Sequence, residues 1–180
     1  MQNITKLFFK YVSANVLGMI GLSCYILADT FFIARGVGAN GLTALNLAIP
    51  VYSLMNGLGL MIGMGGATRY SISKGTEDSA LQKQIFTQSL CLALFLSSVF
   101  LILGITAAKP ISVLLGANAE TLQLTTEYLR ILMIFTPFFM YNNLLICFVR
   151  NDGSPQLSML AMLTGSFSNI IMDYILVFPL

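Results

Sequence analysis

The sequence predicts an all-α polytopic membrane protein, and three observations predict it. Hydrophobic residues make up 57% of the 180 positions and charged residues only 9%, against roughly a quarter in soluble domains. The few charges come at intervals: residues 36–68, 84–108 and 131–149 carry none, and residues 11–34 and 153–180 carry one acid each. Strand-like alternation is absent, which sets a β-barrel aside. A membrane helix needs about 20 mostly apolar residues, and each stretch supplies a run of that order. Mean hydropathy is +0.84. A soluble chain so poor in charge would expose large apolar patches and aggregate.

Five spans follow, near residues 11–34, 44–68, 84–107, 122–149 and 156–178. The first is preceded by Lys6 and Lys10, as a signal peptide would be, but its apolar run is too long and holds an acid. The second contains Pro50 and closes at Lys74-Gly75; Thr76-Glu77-Asp78 opens the third, since Gly stops a helix and acids suit its N-terminus. Lys109-Pro110 ends the third. Residues 111–115 (ISVLL) before Gly116 read as a short surface helix, and Asn118 is placed to cap the fourth span. Pro50 and Pro137 lie inside apolar stretches and should bend them. Gly153-Ser154-Pro155 gives a stop, an N-cap and a first helical position before the fifth. A faint repeat pairs Gly38-Ala39-Asn40 and Thr43 with Gly116-Ala117-Asn118 and Thr121.

Lys and Arg set the orientation. With a cytoplasmic N-terminus, Lys6, Lys10, Arg69, Lys74, Lys83 and Arg150 fall inside, against Arg35, Lys109 and Arg130 outside. Cytoplasmic loops are then expected near residues 69–83 and 150–155, in a multi-pass protein of the plasma membrane.

Composition narrows function. There is no His, which removes His metal ligands and His general bases. A net charge of +2 gives no footprint for nucleic acid. Cys24, Cys91 and Cys147 show no metal spacing and read as small buried apolar side chains. No nucleophile, base and orienting group form a recognisable set, so an enzyme is not expected, and no cofactor is called for.

The informative residues are the acids inside spans. An Asp at the centre of a membrane helix costs about 2.5–3.5 kcal/mol on insertion scales. Asp29 and Asp173 are the two such acids, each about five residues from the outer end of its span, or roughly 8 Å at 1.5 Å per residue. The first and fifth spans run in the same direction, so the two carboxylates lie at matched depth. Asn169 is four residues before Asp173, and Tyr25 four before Asp29, each on the same helix face as its acid. Two carboxylates and an amide, with a phenol in support, suit a hard monovalent cation or a proton. An Asp near the outer edge could instead reach the interface or cap a helix end.

Gly57, Gly59, Gly63, Gly65 and Gly66 crowd the second span, and Ala14 and Gly18 form a small-xxx-small pair in the first. Close helix packing is the plain reading. Met55, Met61, Met64, Met133, Met140, Met159 and Met162 read as packing or lipid-facing filler rather than a drug surface. Asn142-Asn143 is as suited to an interhelical hydrogen bond as to a substrate contact.

The stretch Ala28-Asp29-Thr30-Phe31-Phe32-Ile33-Ala34-Arg35-Gly36-Val37-Gly38, with Leu42 to Pro50 (LTALNLAIP), resembles the start of multidrug and toxic compound extrusion (MATE) transporters. The glycine-rich second span, Tyr128-Leu129-Arg130, Arg150-Asn151-Asp152-Gly153-Ser154-Pro155 and Asn169-Ile170-Ile171-Met172-Asp173 extend the likeness over nearly the whole chain, closest to the MepA-like branch. The resemblance implies twelve helices in two six-helix lobes, and export of amphipathic, often cationic drugs or toxins in exchange for H⁺ or Na⁺. It implies a cation site at Asp29, Asn169 and Asp173. The five spans would form most of one N-lobe, with the C-terminal helices of the full-length protein missing from this chain. The family's sixth helix has no counterpart, and the proline that bends the first helix in some relatives is absent. Two alternatives stand beside this: a lipid-linked precursor flippase of the same superfamily, which would want cations in its spans, and a truncated membrane fragment that associates with other helices without transporting.

Overall fold

A computed structural model describes residues 4–75 and 79–177. Among them every regular element is a helix: α1 Ile4–Gly36, α2 Ala39–Lys74, α3 Ser79–Thr106, α4 Ala108–Leu114, α5 Leu122–Ile134, α6 Thr136–Asn151 and α7 Pro155–Val177. Four are long and apolar enough to cross a membrane, and α5 with α6, bent by 48°, makes a fifth candidate. The chain is a multi-pass membrane protein.

The helices fall into two compact units. One holds the chain up to Val37 together with the chain from Val149 onward; the other is Gly38–Phe148.

In the Gly38–Phe148 unit, packing is dense because small residues let helices approach. A Cβ on Gly63 would stand 3.0 Å from the Cα of Leu144, and one on Gly59 3.2 Å from the Cα of Met140. Glycine is needed there to seat α2 against α6. Around this seam Ile62, Ala67, Ile85, Ala93, Met140, Leu144, Cys147 and Phe148 form one core cluster. Ala48, Met55, Leu129, Leu132 and Met133 form a second. The Phe148 ring packs edge-on between Tyr70, at 5.5 Å, and Phe86, at 5.0 Å between centroids. Asn143 donates a 2.7 Å hydrogen bond to Asn56 across the seam, so of the Asn142-Asn143 pair the second makes the interhelical bond and Asn142 is exposed.

The two prolines act differently. At Pro137 the fourth apolar stretch breaks into α5 and α6. Proline has no N–H for the Met133 carbonyl, four residues back; the Thr136 hydroxyl donates to that carbonyl instead, at 2.7 Å. Pro50 lies inside α2, which continues as one element on both sides of it.

Several sequence expectations need correction. Lys109-Pro110 does not end α3, which stops at Thr106; both residues belong to the first turn of α4. A first turn needs no N–H from proline, so Pro110 is tolerated there. Cys24 and Cys91 are exposed and only Cys147 is buried: an apolar neighbourhood in sequence does not tell which helix face a residue occupies. The methionines also divide, with Met55, Met133 and Met140 buried and Met61 and Met64 on the outer face.

Turn chemistry holds elsewhere. The Gly75 N–H bonds the Ile72 carbonyl at 3.0 Å as α2 closes; Thr76-Glu77-Asp78 lies outside the described residues. The Asn118 Oδ1 accepts the Thr121 N–H at 2.9 Å and the Glu120 N–H at 3.1 Å just before α5. Gly153 takes φ of 100°, and the Ser154 N–H reaches back to the Val149 carbonyl at 3.2 Å, closing α6 before Pro155 starts α7. The faint repeat shares a positive φ at Gly38 and Gly116. Its hydroxyls differ: Thr43 bonds the Ala39 carbonyl and Thr121 bonds Asn118.

The other unit pairs α1 with α7. Gly18 faces Met162, Gly21 faces Leu163, Phe32 faces Tyr174 and Gly36 faces Val177. Partners rise together along both helices, so the helices run parallel. Ala14 and Gly18 are the buried residues of α1, and Pro155, Ser158 and Ser166 those of α7. The Arg150 guanidinium donates to Asn15 at 2.6 Å near the start of this pair.

Candidate cation-binding site

The α1–α7 register brings the two intramembrane acids together. Gly18 and Met162 are separated by the same sequence interval as Asp29 and Asp173, and Phe32 and Tyr174 meet one turn later at 6.1 Å between ring centroids. The depth match read from sequence is therefore also a match of level along two helices in contact. Both residues are half-buried.

The polar inventory around the pair is short. The Asp173 Oδ2 is buried and has no hydrogen-bond partner among the described residues. Among those residues no Lys or Arg forms an ion pair with either acid. The nearest cation along α1, Arg35, instead lies over the Phe31 ring, 5.6 Å from its centroid. Two carboxylates without a counter-cation, one with an orphaned oxygen, offer acceptors to a positive ion or a proton.

The supporting residues are placed less tightly. Asn169 is on α7 four residues before Asp173, on the same helix face, but its side chain is exposed and makes no hydrogen bond to a described residue. Tyr25 is half-buried on α1, one turn before Asp29. Sequence reasoning missed the Phe32–Tyr174 contact that backs the pair. It also missed Asn56 and Asn15 as the partners of Asn143 and Arg150. No local pattern announces a bond between residues so far apart in the chain.

The profile of the MatE family matches residues 15–175. The chain belongs to the MatE family. It is 33% identical over 154 residues to the multidrug export protein MepA of Staphylococcus saprophyticus, covering 86% of this chain and 34% of that protein. It is 30% identical over 175 residues to MepA of Staphylococcus aureus strain MRSA252, covering 97% and 39%. Among solved structures it superposes on the MATE multidrug transporter DinF-BH with a TM-score of 0.91 and 27% identity, over 97% of this chain and 39% of that one. This MatE chain thus spans little more than a third of the length of these relatives, as an N-terminal portion would. The relatives are transporters, in keeping with a chain in which no enzyme was expected.

Proposed function

We propose that this MatE chain is part of a cation-coupled multidrug antiporter of the bacterial plasma membrane, with its N-terminus in the cytoplasm. It exports amphipathic, often cationic compounds in exchange for H⁺ or Na⁺. The observation that carries this is the parallel α1–α7 register, which brings Asp29 and Asp173 to the same level, with no Lys or Arg paired to either among the described residues. The names of the relatives, which are multidrug exporters, support the substrate class.

In this reading Asp29 and Asp173 hold the coupling ion and Asn169 adds a neutral oxygen, with Tyr25 in support. Without the ion the two negative charges repel across the helix pair; with it they draw together. Ion binding therefore favours one arrangement of the lobe and drug binding the other, and exchange follows because both bias one equilibrium. The neutral amide of Asn can imitate a protonated carboxyl but cannot release a proton. Asp29→Asn and Asp173→Asn in the full-length protein should each bring efflux down to that of cells lacking the gene, with unchanged protein in the membrane. Undiminished drug resistance in both variants would refute the assignment.

A lipid-linked precursor flippase is the second reading. Its pyrophosphate substrate would want cations within the spans, and apart from the acids at 29 and 173 the five apolar stretches are nearly free of charge. Binding of a lipid pyrophosphate, with no drug bound, would favour it. A non-transporting fragment is tested by the same efflux assay on the 180-residue chain alone.

A further inference from the structure

Away from the acid pair, at the opposite end of the same two helices, α1 and α7 enclose an open groove of about 410 Å³. Lys6 and Lys10 stand at the end nearest the N-terminus with Phe9 between them, followed by Ser13 and, from α7, Gln156. Ala14, Leu17 and Met159 line the part toward the middle of the helices. Lys6 and Lys10 are one helical turn apart and both are exposed, and neither ammonium group makes an ion pair or hydrogen bond with a described residue. The neighbouring cation, Arg150, is turned to Asn15. From Lys6 to Leu17 the groove runs roughly 16 Å along the axis of α1.

We propose that this groove holds an anionic phospholipid of the cytoplasmic leaflet, with its phosphate between Lys6 and Lys10 and an acyl chain against Ala14, Leu17 and Met159. Charge complementarity selects the occupant. Two ammonium groups one turn apart, unpaired among the described residues, attract an anion, and the apolar continuation of the same groove suits a chain. A free inorganic anion would satisfy only the first part. The cytoplasmic leaflet enters through the orientation proposed above; the match between groove and lipid does not depend on it.

The test uses the full-length transporter in nanodiscs carrying phosphatidylglycerol and phosphatidylcholine on both faces, so that binding is read whichever way the protein is oriented. Lipids retained after release from the disc are counted by native mass spectrometry. Wild type should retain phosphatidylglycerol over phosphatidylcholine. Lys6→Gln with Lys10→Gln should weaken that retention about thirtyfold. Arg69→Gln with Lys83→Gln removes equal charge outside the groove and should leave retention unchanged. Inorganic phosphate should not displace the lipid. Asp29→Asn should keep phosphatidylglycerol even as it loses transport, which separates this proposal from the coupling site. Equal retention of the two lipids by wild type would overturn the proposal, as would equal losses in the two double variants or displacement by phosphate alone.

Discussion

In the Gly38–Phe148 unit the fully buried side chains include large ones, Met55, Leu129, Met133, Met140 and Leu144, whereas the α1–α7 pair buries Ala14, Gly18, Pro155, Ser158 and Ser166. The larger apolar side chains of the pair, such as Leu27 and Leu176, each 71% exposed, point outward to whatever surrounds it. Interdigitated bulk fixes one arrangement, because displaced side chains leave voids or clash. A seam of small residues instead lets α1 and α7 approach closely along a narrow strip. The acids that the proposed function needs lie in the unit with the small-residue seam. The buried bulk lies in the other.

That contrast can be broken or sharpened by substitution. The largest effect should separate function from stability: Asp29→Asn or Asp173→Asn should erase transport while leaving the thermal midpoint in detergent within about 2 °C. A large drop in midpoint would make the acids structural and undo the contrast. Next, Gly63→Val places atoms against the Leu144 backbone, and such overpacking costs about 1–3 kcal/mol; the midpoint should fall by several degrees. An unchanged midpoint would mean that the α2–α6 seam can yield after all. Asn143→Ala removes the bond to Asn56 and should cost about 0.6–2 kcal/mol, read by the same melt. The smallest effect belongs to Gly57→Ala. A Cβ there meets nothing within 4 Å, so the helix preference for Ala should leave stability equal or up to about 1 kcal/mol higher. A loss would reveal a neighbour at Gly57 in the assembled protein.

The helices were legible because uncharged runs of membrane length admit little else, and the α5–α6 break because Pro137 lacks a donor. Helix ends were legible where Gly75, Asn118 or Gly153 made the turn. Pro110 misled because the same residue that stops one helix is accepted in the first turn of the next. Exposure was poorly legible: Cys24, Cys91 and Asn169 lie in stretches with so little polar contrast that no face stands out. Asp29 and Asp173 stood out because an acid in an apolar run has a known cost, and their equal depth followed from helix direction. Their adjacency did not, since it depends on contact between the first and the last helix of the chain.

That contact sets an order of assembly. Gly38–Phe148 is continuous in sequence, so its core can form as it leaves the ribosome, while α1 must wait for about 120 further residues before α7 exists. At ~5–20 residues per second the wait is roughly 6–24 s. Through that interval Asp29 sits in the bilayer without Asp173 beside it and α1 lacks its parallel mate. Quality control that recognises an unescorted acidic helix would have its longest opportunity there, and synthesis that stalls before Pro155 would leave a packed core and an orphan first helix.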